Sequence, residues 1–217
     1  NGGHLVDPYV ISRVENTAGE ILMQTKPQKV CDSCAVPNED ITEEEALMQA
    51  ELLGFYPAKQ VITPQNAYII NSMLRDVVKF GTGRQALSLN RNDLAGKTGT
   101  TNDQLDAWFN GYNPDLVAIG WVGFDNPRTL GRYETGGRAA LPMWIDFMRI
   151  ALEDQPEHAF EQPVDMVTVR IDPETGLLAR PGDQNAIYES FHKDNVPAMR
   201  GGSSSSRDED DSLIDLF

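Results

Sequence analysis

The sequence is poor in several residue types, and each shortage narrows what the protein can be. It has 2 Cys and 3 His among 217 residues, and the three His, at positions 4, 158 and 192, are scattered along the chain. This set gives little support for a zinc site, which needs four clustered ligands. Lys and Arg number 18 against 33 Asp and Glu, so the formal net charge is −15. Binding to nucleic acid or to an anionic membrane surface requires clustered basic residues, and we expect neither.

Long apolar runs are also lacking. The longest nearly apolar stretch covers residues 116–124, whereas a membrane-spanning helix needs about 20 residues. The chain opens with Asn-Gly-Gly and has no basic segment followed by an apolar one, so it shows no signal peptide. We expect it to be part of a longer protein. Apolar residues make up 40% of the sequence, which is enough to build a buried core.

The first sixty residues predict a hairpin, a loop and a short helix. Residues 9–14 and 20–23 are rich in β-branched and apolar side chains and flank an Asn-Thr-Ala-Gly turn, which predicts a β-hairpin. Residues 26–39 contain both Cys and two Pro, a composition typical of loops. Thr42 and Glu45 have capping-box spacing, so a helix should run from there to about residue 53.

A better helix and a sheet are predicted next. Thr63 and Pro64 are suited to the start of a helix whose apolar residues recur at helical spacing until the Gly-Thr-Gly of residues 81–83. Three β-rich segments follow at 94–101, 107–112 and 116–124, and their short connections favour antiparallel pairing. We expect the last of them, which is nearly all apolar, to be covered on both faces.

The remaining third predicts a helix, a second hairpin and a tail. Apolar residues at helical spacing between Leu141 and Leu152 predict an amphipathic helix lying across the sheet, approached through a flexible Gly136-Gly137 pair. Residues 164–171 and 177–178 flank an Asp-Pro-Glu-Thr-Gly turn and are interpreted as a hairpin. Residues 201–217 are Gly/Ser-rich and then acidic, so we expect them to be disordered.

The sequence Gly-Lys-Thr-Gly-Thr-Thr at residues 96–101 is the densest cluster of residues with functional potential. A phosphate-binding loop would need Gly at position 91, which is Arg, and a helix beginning at Lys97. Thr98, Gly99 and the two Thr that follow form a poor helix start. The alternative is a strand at the edge of a cleft, in which case Lys-Thr-Gly is one of three signatures of penicillin-recognising serine acyltransferases.

The residue types at 97–101 suit that second interpretation. Lys97 supplies a positive charge, and Thr98 and Thr100 supply hydroxyls, so together they can hold a carboxylate. Gly99 lets a peptide lie close to the strand. A backbone N–H near Thr100 can serve as an oxyanion donor. The set of candidate substrate-binding residues is therefore Lys97, Thr98, Gly99, Thr100 and Thr101, with Lys97 and Thr100 as candidate catalytic residues.

Further pieces occur in the order found in one enzyme family. They are Thr63-Pro64, Gly81-Thr82-Gly83, residues 94–101, Asp106-Ala107-Trp108-Phe109, Gly120-Trp121-Val122-Gly123, and Gly136-Gly137 followed by Ala140, Pro142 and Trp144. With these pieces the chain resembles the transpeptidase domain of class A penicillin-binding proteins, the bifunctional enzymes that polymerise and cross-link peptidoglycan. The resemblance covers nearly everything except the Cys31–Gln60 insert and the tail.

This resemblance implies an α+β fold, similar to that of β-lactamases, in which helices cover an antiparallel sheet. It also implies a Ser nucleophile in an S-x-x-K motif and an S-x-N motif, both upstream of Lys97. Residues 190–193 match S-x-x-K but follow Lys97 instead of preceding it. Residues 88–90 match S-x-N but lie too close to Lys97. We therefore expect the C-terminal part of a transpeptidase domain at residues 1–161, with an insert of loop and helix at 26–60. An incomplete domain without its nucleophile should not be acylated.

The same resemblance implies the setting and the partners. The substrates would be D-Ala-D-Ala stem peptides, β-lactams would bind the complete domain, and the N-terminal half of the domain would be a partner. A membrane anchor and a glycosyltransferase domain would belong to the full protein, on the periplasmic side of the inner membrane. No metal or organic cofactor is implied. In that setting Cys31 and Cys34 would form a disulfide, with a free reduced pair and a metal site as the alternatives.

Four further expectations concern the activity, the support of the strand beside Lys97, Arg138 and the C-terminal segment. The activity could be that of a D,D-carboxypeptidase or β-lactamase, or the fold could be a peptide-binding module without catalysis. Asp106 and Trp108 are expected to support the strand beside Lys97 rather than take part in chemistry. Arg138, next to the Gly136-Gly137 pair, could meet an anionic substrate. Residues 162–200 are expected to form a C-terminal β-hairpin extension.

Overall fold

The computed structural model describes residues 1–31 and 42–199, without the side chains of Glu43, Ala46 and Leu47. The chain divides into two compact units, Asn1–Val164 and Asp165–Phe217. The expected segment boundaries at 161 and 200 stay predictions. The predicted disordered tail at 201–217, like Cys34, lies outside the described residues. Of the helices in the ranges described, none is long and apolar enough to cross a membrane.

The strands and helices follow one another in this order: β1 (His4–Leu5), β2 (Arg13–Glu15), β3 (Ile21–Gln24), β4 (Gln28–Lys29), α1 (Glu43–Leu53), β5 (Tyr56–Pro57), β6 (Lys59–Gln60), α2 (Pro64–Lys79), β7 (Ala95–Thr100), β8 (Ala107–Tyr112), β9 (Val117–Val122), α3 (Leu141–Ala151), β10 (Met166–Ile171) and β11 (Ile187–His192).

The N-terminal hairpin is confirmed, since β2 and β3 pair antiparallel. Asn16 closes its turn, because the Asn16 side-chain oxygen accepts bonds from the backbone N–H of Ala18 and of Glu20, both at 2.9 Å. Of the loop predicted at 26–39, residues 32–39 lie outside the described residues, and Gln28–Lys29 form the short strand β4 rather than loop. β4 pairs in parallel with β5, and β1 pairs antiparallel with β6, so short strand pairs join the segment that follows α1 to strands that precede it.

Both predicted helices before the sheet are confirmed with their caps. At the start of α1, the Thr42 hydroxyl accepts a bond from Glu45 N–H at 3.3 Å, and the Glu45 carboxylate accepts one from Thr42 N–H at 2.9 Å. This reciprocal pair is a capping box. At the start of α2, the Thr63 hydroxyl accepts from Asn66 N–H at 3.3 Å. Pro64 occupies the first helical position, where no N–H is needed.

The central sheet has the order β7-β8-β9 with antiparallel pairing throughout. Thr98 lies opposite Phe109, and Phe109 lies opposite Gly120, so these three residues share one face. On that face the rings of Phe109 and Trp144 meet edge to face with centroids 4.9 Å apart. The buried cluster around them draws on α2, β8 and α3 and consists of Val78, Ala86, Leu94, Phe109, Ala140, Leu141, Trp144, Ile145, Met148 and Leu152.

The prediction that the third strand is covered on both faces was wrong. Ala118 and Gly120 face α3, and the Trp144 indole N–H donates to the Ala118 carbonyl at 3.0 Å. On the opposite face Val117 and Ile119 are 69% and 64% exposed. The continuous apolar run of β9 therefore combines one buried face with an exposed apolar face, which sequence periodicity does not distinguish from burial on both faces.

The predicted second hairpin had the right first strand and turn but the wrong partner. Gly176 N–H donates to the Asp172 carbonyl at 2.8 Å, which closes the turn, and Leu178 makes a single bridge to Ile171. The full partner of β10 is β11 instead. Ala179 N–H still donates to the Arg170 carbonyl at 2.9 Å, but the chain then leaves the pairing because Pro181 has no N–H to donate and Gly182 turns the backbone at a φ of 84°.

Candidate functional site

The Lys-Thr-Gly-Thr segment forms the last four residues of β7, and no helix begins at Lys97. This excludes the phosphate-loop interpretation, which requires a helix there. β7 pairs with β8 on one side, and within the described ranges no strand pairs with its other edge. The candidate residues therefore lie along an open strand edge.

Hydrogen-bond alternation determines which backbone groups point to that edge. Thr101 N–H donates to the Asp106 carbonyl at 3.1 Å, so Thr101 bonds toward β8. In an antiparallel pair, bonded and non-bonded positions alternate. Counting back from Thr101, Gly99 and Lys97 also bond toward β8. The backbone N–H and C=O groups of Thr98 and Thr100 consequently point to the open edge.

Lys97 reaches the same edge from the other face of the sheet. Strand alternation puts the Lys97 side chain on the face opposite to Thr98 and Thr100. Its ammonium group nevertheless donates to the Thr98 carbonyl at 2.9 Å, a group that points outward from the strand. An ammonium has three donors, so two remain for a ligand. The positive charge of Lys97 thus lies beside Thr98.

The Thr98 and Thr100 hydroxyls are each within hydrogen-bonding distance of a residue from another segment of the chain. The Thr98 and Thr82 hydroxyl oxygens lie 2.8 Å apart. The Thr100 hydroxyl accepts a hydrogen bond from Gly136 N–H at 3.0 Å. Thr82 follows α2, and Gly136 starts a π-helical turn, Gly136–Ala140, that leads into α3. Residues far apart in the sequence therefore orient the two hydroxyls.

The approach to α3 is a packed turn, which corrects the prediction of a flexible glycine pair. Gly136 is buried, and a Cβ placed on it would lie 2.5 Å from the Gly99 carbonyl oxygen. On the other side of the strand, a Cβ on Gly99 would lie 3.2 Å from the Trp108 Cβ. Gly99 is thus packed by its own chain on both faces, in addition to any role in admitting a peptide.

The β7–β8 turn is closed by Thr101 and Asp106. Asp106 N–H donates to the Thr101 hydroxyl at 2.8 Å, and the Asp106 carboxylate accepts from the Trp121 indole N–H at 3.0 Å. The Trp121 ring in turn packs against Trp108, with centroids 5.9 Å apart. These contacts agree with the expectation that Asp106 and Trp108 support the strand beside Lys97. Thr101 belongs to this support.

The same turn is joined to the loop that precedes Gly136. Gln104, at a φ of 55°, accepts a bond from Leu130 N–H at its backbone carbonyl, at 2.8 Å. Its side-chain oxygen accepts another from Tyr133 N–H at 2.9 Å. These bonds fix the loop of residues 125–135 against the turn. Gly136, which follows this loop, is thereby positioned next to Thr100.

A buried ion pair anchors the chain just before β7. The Arg91 guanidinium binds both oxygens of the Asp93 carboxylate, at 2.9 and 2.6 Å, and also donates to the carbonyl of Gln155 at 2.8 Å. Asp93 is 3% exposed. Burial would raise the pKa of Asp93, but the bonds from Arg91 and Asn113 and the guanidinium charge outweigh it and hold the pKa below its usual value.

The other residues singled out from sequence belong to other elements of the chain or lie outside the described ranges. Arg138 is exposed on the π-helical turn. Ser190 lies in β11, in the second unit, and Ser88 lies in a 3-10 helix after α2. Because Cys34 is not among the residues described, the Cys31–Cys34 disulfide stays a prediction. Within the ranges that are described, no group of three His, Cys, Asp or Glu could hold a metal ion.

Sequence reasoning missed two residues of the site, Thr82 and Gly136, as partners of the hydroxyls. Both were noted as parts of ordered motifs, yet nothing in those motifs says what they touch. The Gly136-Gly137 pair was the one available signal, since glycine can indicate a close backbone approach. That signal marks Gly136 but does not identify its acceptor.

The chain is similar in sequence to known proteins of one family. Residues 1–140 match the model of the penicillin binding protein transpeptidase domain. The chain is 45% identical to penicillin-binding protein 1A of Pseudomonas aeruginosa and 38% identical to that of Vibrio cholerae, in each case over 91% of this chain and 26% of the relative.

A solved structure is similar as well. The crystal structure of penicillin-binding protein 1A from Haemophilus influenzae superposes with a TM-score of 0.76 at 32% identity, and the match covers 91% of this chain and 31% of that one. The chain therefore spans only about a quarter to a third of the length of these proteins.

Proposed function

Because the chain belongs to the family of penicillin-binding protein transpeptidase domains, we propose that it forms one wall of the acyl-transfer site of a peptidoglycan D,D-transpeptidase. The observation that carries the proposal is the open edge of β7. There the Lys97 ammonium, the Thr98 and Thr100 hydroxyls and their outward backbone groups line one strand edge.

Each group has a definite task in this proposal. The terminal carboxylate of a D-Ala-D-Ala peptide accepts hydrogen bonds from the Thr98 and Thr100 hydroxyls, beside the charge of Lys97. The peptide lies along the edge as an added strand and bonds to the outward N–H and C=O groups. Thr100 N–H then stabilises the oxyanion that forms when the scissile carbonyl is attacked, an interaction typically contributing about 3 kcal/mol.

The nucleophile comes from the N-terminal half of the domain, which precedes this chain in the parent protein. The exposed apolar face of the sheet supports this assignment. Val117, Ile119 and Trp121 share that face with Trp108 and are 36% exposed or more. A soluble monomer rarely exposes such a contiguous patch unless it is an interaction surface. The N-terminal half of the domain would cover it.

The setting follows from the same proposal. In the parent protein the transpeptidase domain would face the periplasm, with a membrane anchor and a glycosyltransferase domain on its N-terminal side. The substrates would be stem peptides of peptidoglycan, and β-lactams would acylate the complete domain at the same Ser.

Covalent labelling with a fluorescent penicillin tests the proposal. The chain alone should remain unlabelled, and the chain produced together with the N-terminal half should be labelled. Lys97→Met should abolish labelling of the assembled pair, whereas the exposed Lys59→Met should not. Labelling of the chain alone would contradict the assignment. An assay that separates cross-linked from trimmed peptide then distinguishes a transpeptidase from a carboxypeptidase.

A further inference from the structure

The two hydroxyls of the β7 edge have the same arrangement. Thr98 and Thr100 are on one face of the strand, about 7 Å apart along it. Each has one polar neighbour behind it, Thr82 for Thr98 and Gly136 for Thr100. For Thr100 the direction of the bond is certain, because a backbone N–H can only donate. The Thr100 hydroxyl is the acceptor there, and its own hydrogen is available to a ligand.

For Thr98 the direction depends on what the site binds. At a separation of 2.8 Å, either the Thr98 or the Thr82 oxygen can be the donor. An ionised carboxylate has acceptors only. Thr98 can bind it only when the Thr98 hydrogen points to the ligand, and then Thr82 must donate to Thr98. If Thr98 donated to Thr82, it would present lone pairs to the carboxylate and repel it.

Thr82 is well placed to act as a fixed donor. It lies between two glycines whose N–H groups both bond to the Val77 carbonyl of α2, Gly81 at 3.1 Å and Gly83 at 2.9 Å. On its other side, Gly137 passes so close that a Cβ placed there would lie 3.0 Å from the Thr82 carbonyl oxygen. The backbone of Thr82 is therefore held both by α2 and by the turn that carries Gly136.

We infer that Thr82 is a positioning residue, whose hydroxyl donates to Thr98 and directs the Thr98 hydrogen to the carboxylate of the ligand. Thr82 itself does not touch the ligand. The inference deepens the proposed function and rests on it for the identity of the ligand. In this arrangement the Thr82 hydroxyl donates to Thr98 in the same way as the Gly136 N–H donates to Thr100.

The test uses the parent protein that contains this chain and compares a ligand with and without its carboxylate. Second-order acylation rates are measured with benzylpenicillin and with its methyl ester. Thr82→Val should lower the rate with the acid about fivefold, the effect of one ordinary hydrogen bond, and change the rate with the ester less than twofold. Thr82→Ser should restore the acid rate. Thr17→Val, in the exposed β2–β3 turn, is the matched control.

An equal loss with the acid and the ester would overturn the inference, since a purely structural role weakens both. An unchanged acid rate would also overturn it. A second measurement distinguishes failure of the inference from failure of the proposed function. The affinities of the parent protein for acetyl-D-alanyl-D-alanine and for its C-terminal amide are compared by NMR titration.

Thr82→Val should reduce the preference for the acid over the amide even if the parent protein is never acylated. In that case the proposed function fails and the inference stands. If the parent protein is acylated but neither comparison responds to Thr82, the function stands and the inference fails. A parent protein that binds acid and amide equally contradicts the inference directly.

Discussion

The backbone N–H of Gly136 donates to the Thr100 hydroxyl at 3.0 Å, across 36 residues of sequence. This bond joins the turn before α3 to the open edge of β7. α3 also places Trp144 in the buried core of the first unit. The edge of β7 is therefore connected to that core through the turn and α3. The candidate site is thus built on rigid elements, as precise substrate placement requires.

Gly136→Ala tests the close packing at this point. The added methyl group would lie 2.5 Å from the Gly99 carbonyl oxygen, so the turn or the strand must move. We expect a loss of about 2–3 kcal/mol in the free energy of unfolding, measured by urea titration of the chain. Gly120→Ala is the milder comparison, because its nearest atom would be 3.2 Å away. Equal stability of Gly136→Ala and the wild type would show that the turn is not tightly packed.

Thr100→Val tests the hydroxyl that Gly136 holds. The substitution keeps the shape of the side chain but removes the donor to the ligand and the acceptor for Gly136 N–H. In the parent protein we expect acylation by benzylpenicillin to slow about tenfold. Thr100→Ser should recover most of the rate. If Thr100→Val reacts as fast as the wild type, Thr100 does not bind the carboxylate.

Asp93→Asn tests the buried ion pair before β7. The pKa of Asp93 is held below its usual value, so the pair stabilises the fold above about pH 4, and this stabilisation is lost as the pH falls through the folded-state pKa. At pH 7 the substitution should cost about 3 kcal/mol, because it leaves the Arg91 charge without its partner.

The cost of Asp93→Asn should shrink as the pH is lowered, since protonated Asp93 then resembles Asn. Urea unfolding of the chain at several pH values measures this, and the exposed Asp125→Asn provides the control. A cost that stays constant with pH would mean that the charge of Asp93 is not what stabilises the pair.

Asp106→Ala tests the support of the β7–β8 turn. Removal of the carboxylate leaves the Trp121 indole N–H without its 3.0 Å acceptor. We expect a loss of about 1 kcal/mol in stability and a change in near-ultraviolet circular dichroism, because Trp121 packs against Trp108. Asp125→Ala should change neither. An unaltered dichroism spectrum for Asp106→Ala would indicate that the indole is positioned by packing alone.

The features that could be predicted from the sequence depend on neighbours along the chain. Thr42 and Glu45 identify a capping box because the two groups are three residues apart in any helix. The apolar spacing before Gly81 and after Leu141 identifies α2 and α3 in the same way. Residues 97–100 identify a candidate carboxylate site because Lys and Thr next to one another are chemically suited to it.

The features that were missed depend on residues distant in sequence. The partner of β10 was assigned to the nearest apolar pair, whereas Pro181 and Gly182 carry the chain onward to β11. The exposed face of β9 is as apolar as its buried face, with Val117, Ile119 and Trp121 on the first and Ala118, Gly120 and Val122 on the second. Composition alone cannot tell a surface that packs against its own helix from one left open.

Thus the residue types in the sequence determined the chemistry available at the β7 edge, while its geometry came from tertiary contacts. That Thr98 and Thr100 carry hydroxyls is visible in the sequence, but their alignment depends on Thr82 and Gly136, which reach them from the end of α2 and the start of the turn into α3. Hydrogen bonds act over about 3 Å. Only the folding that brings these segments together decides which donors meet which acceptors.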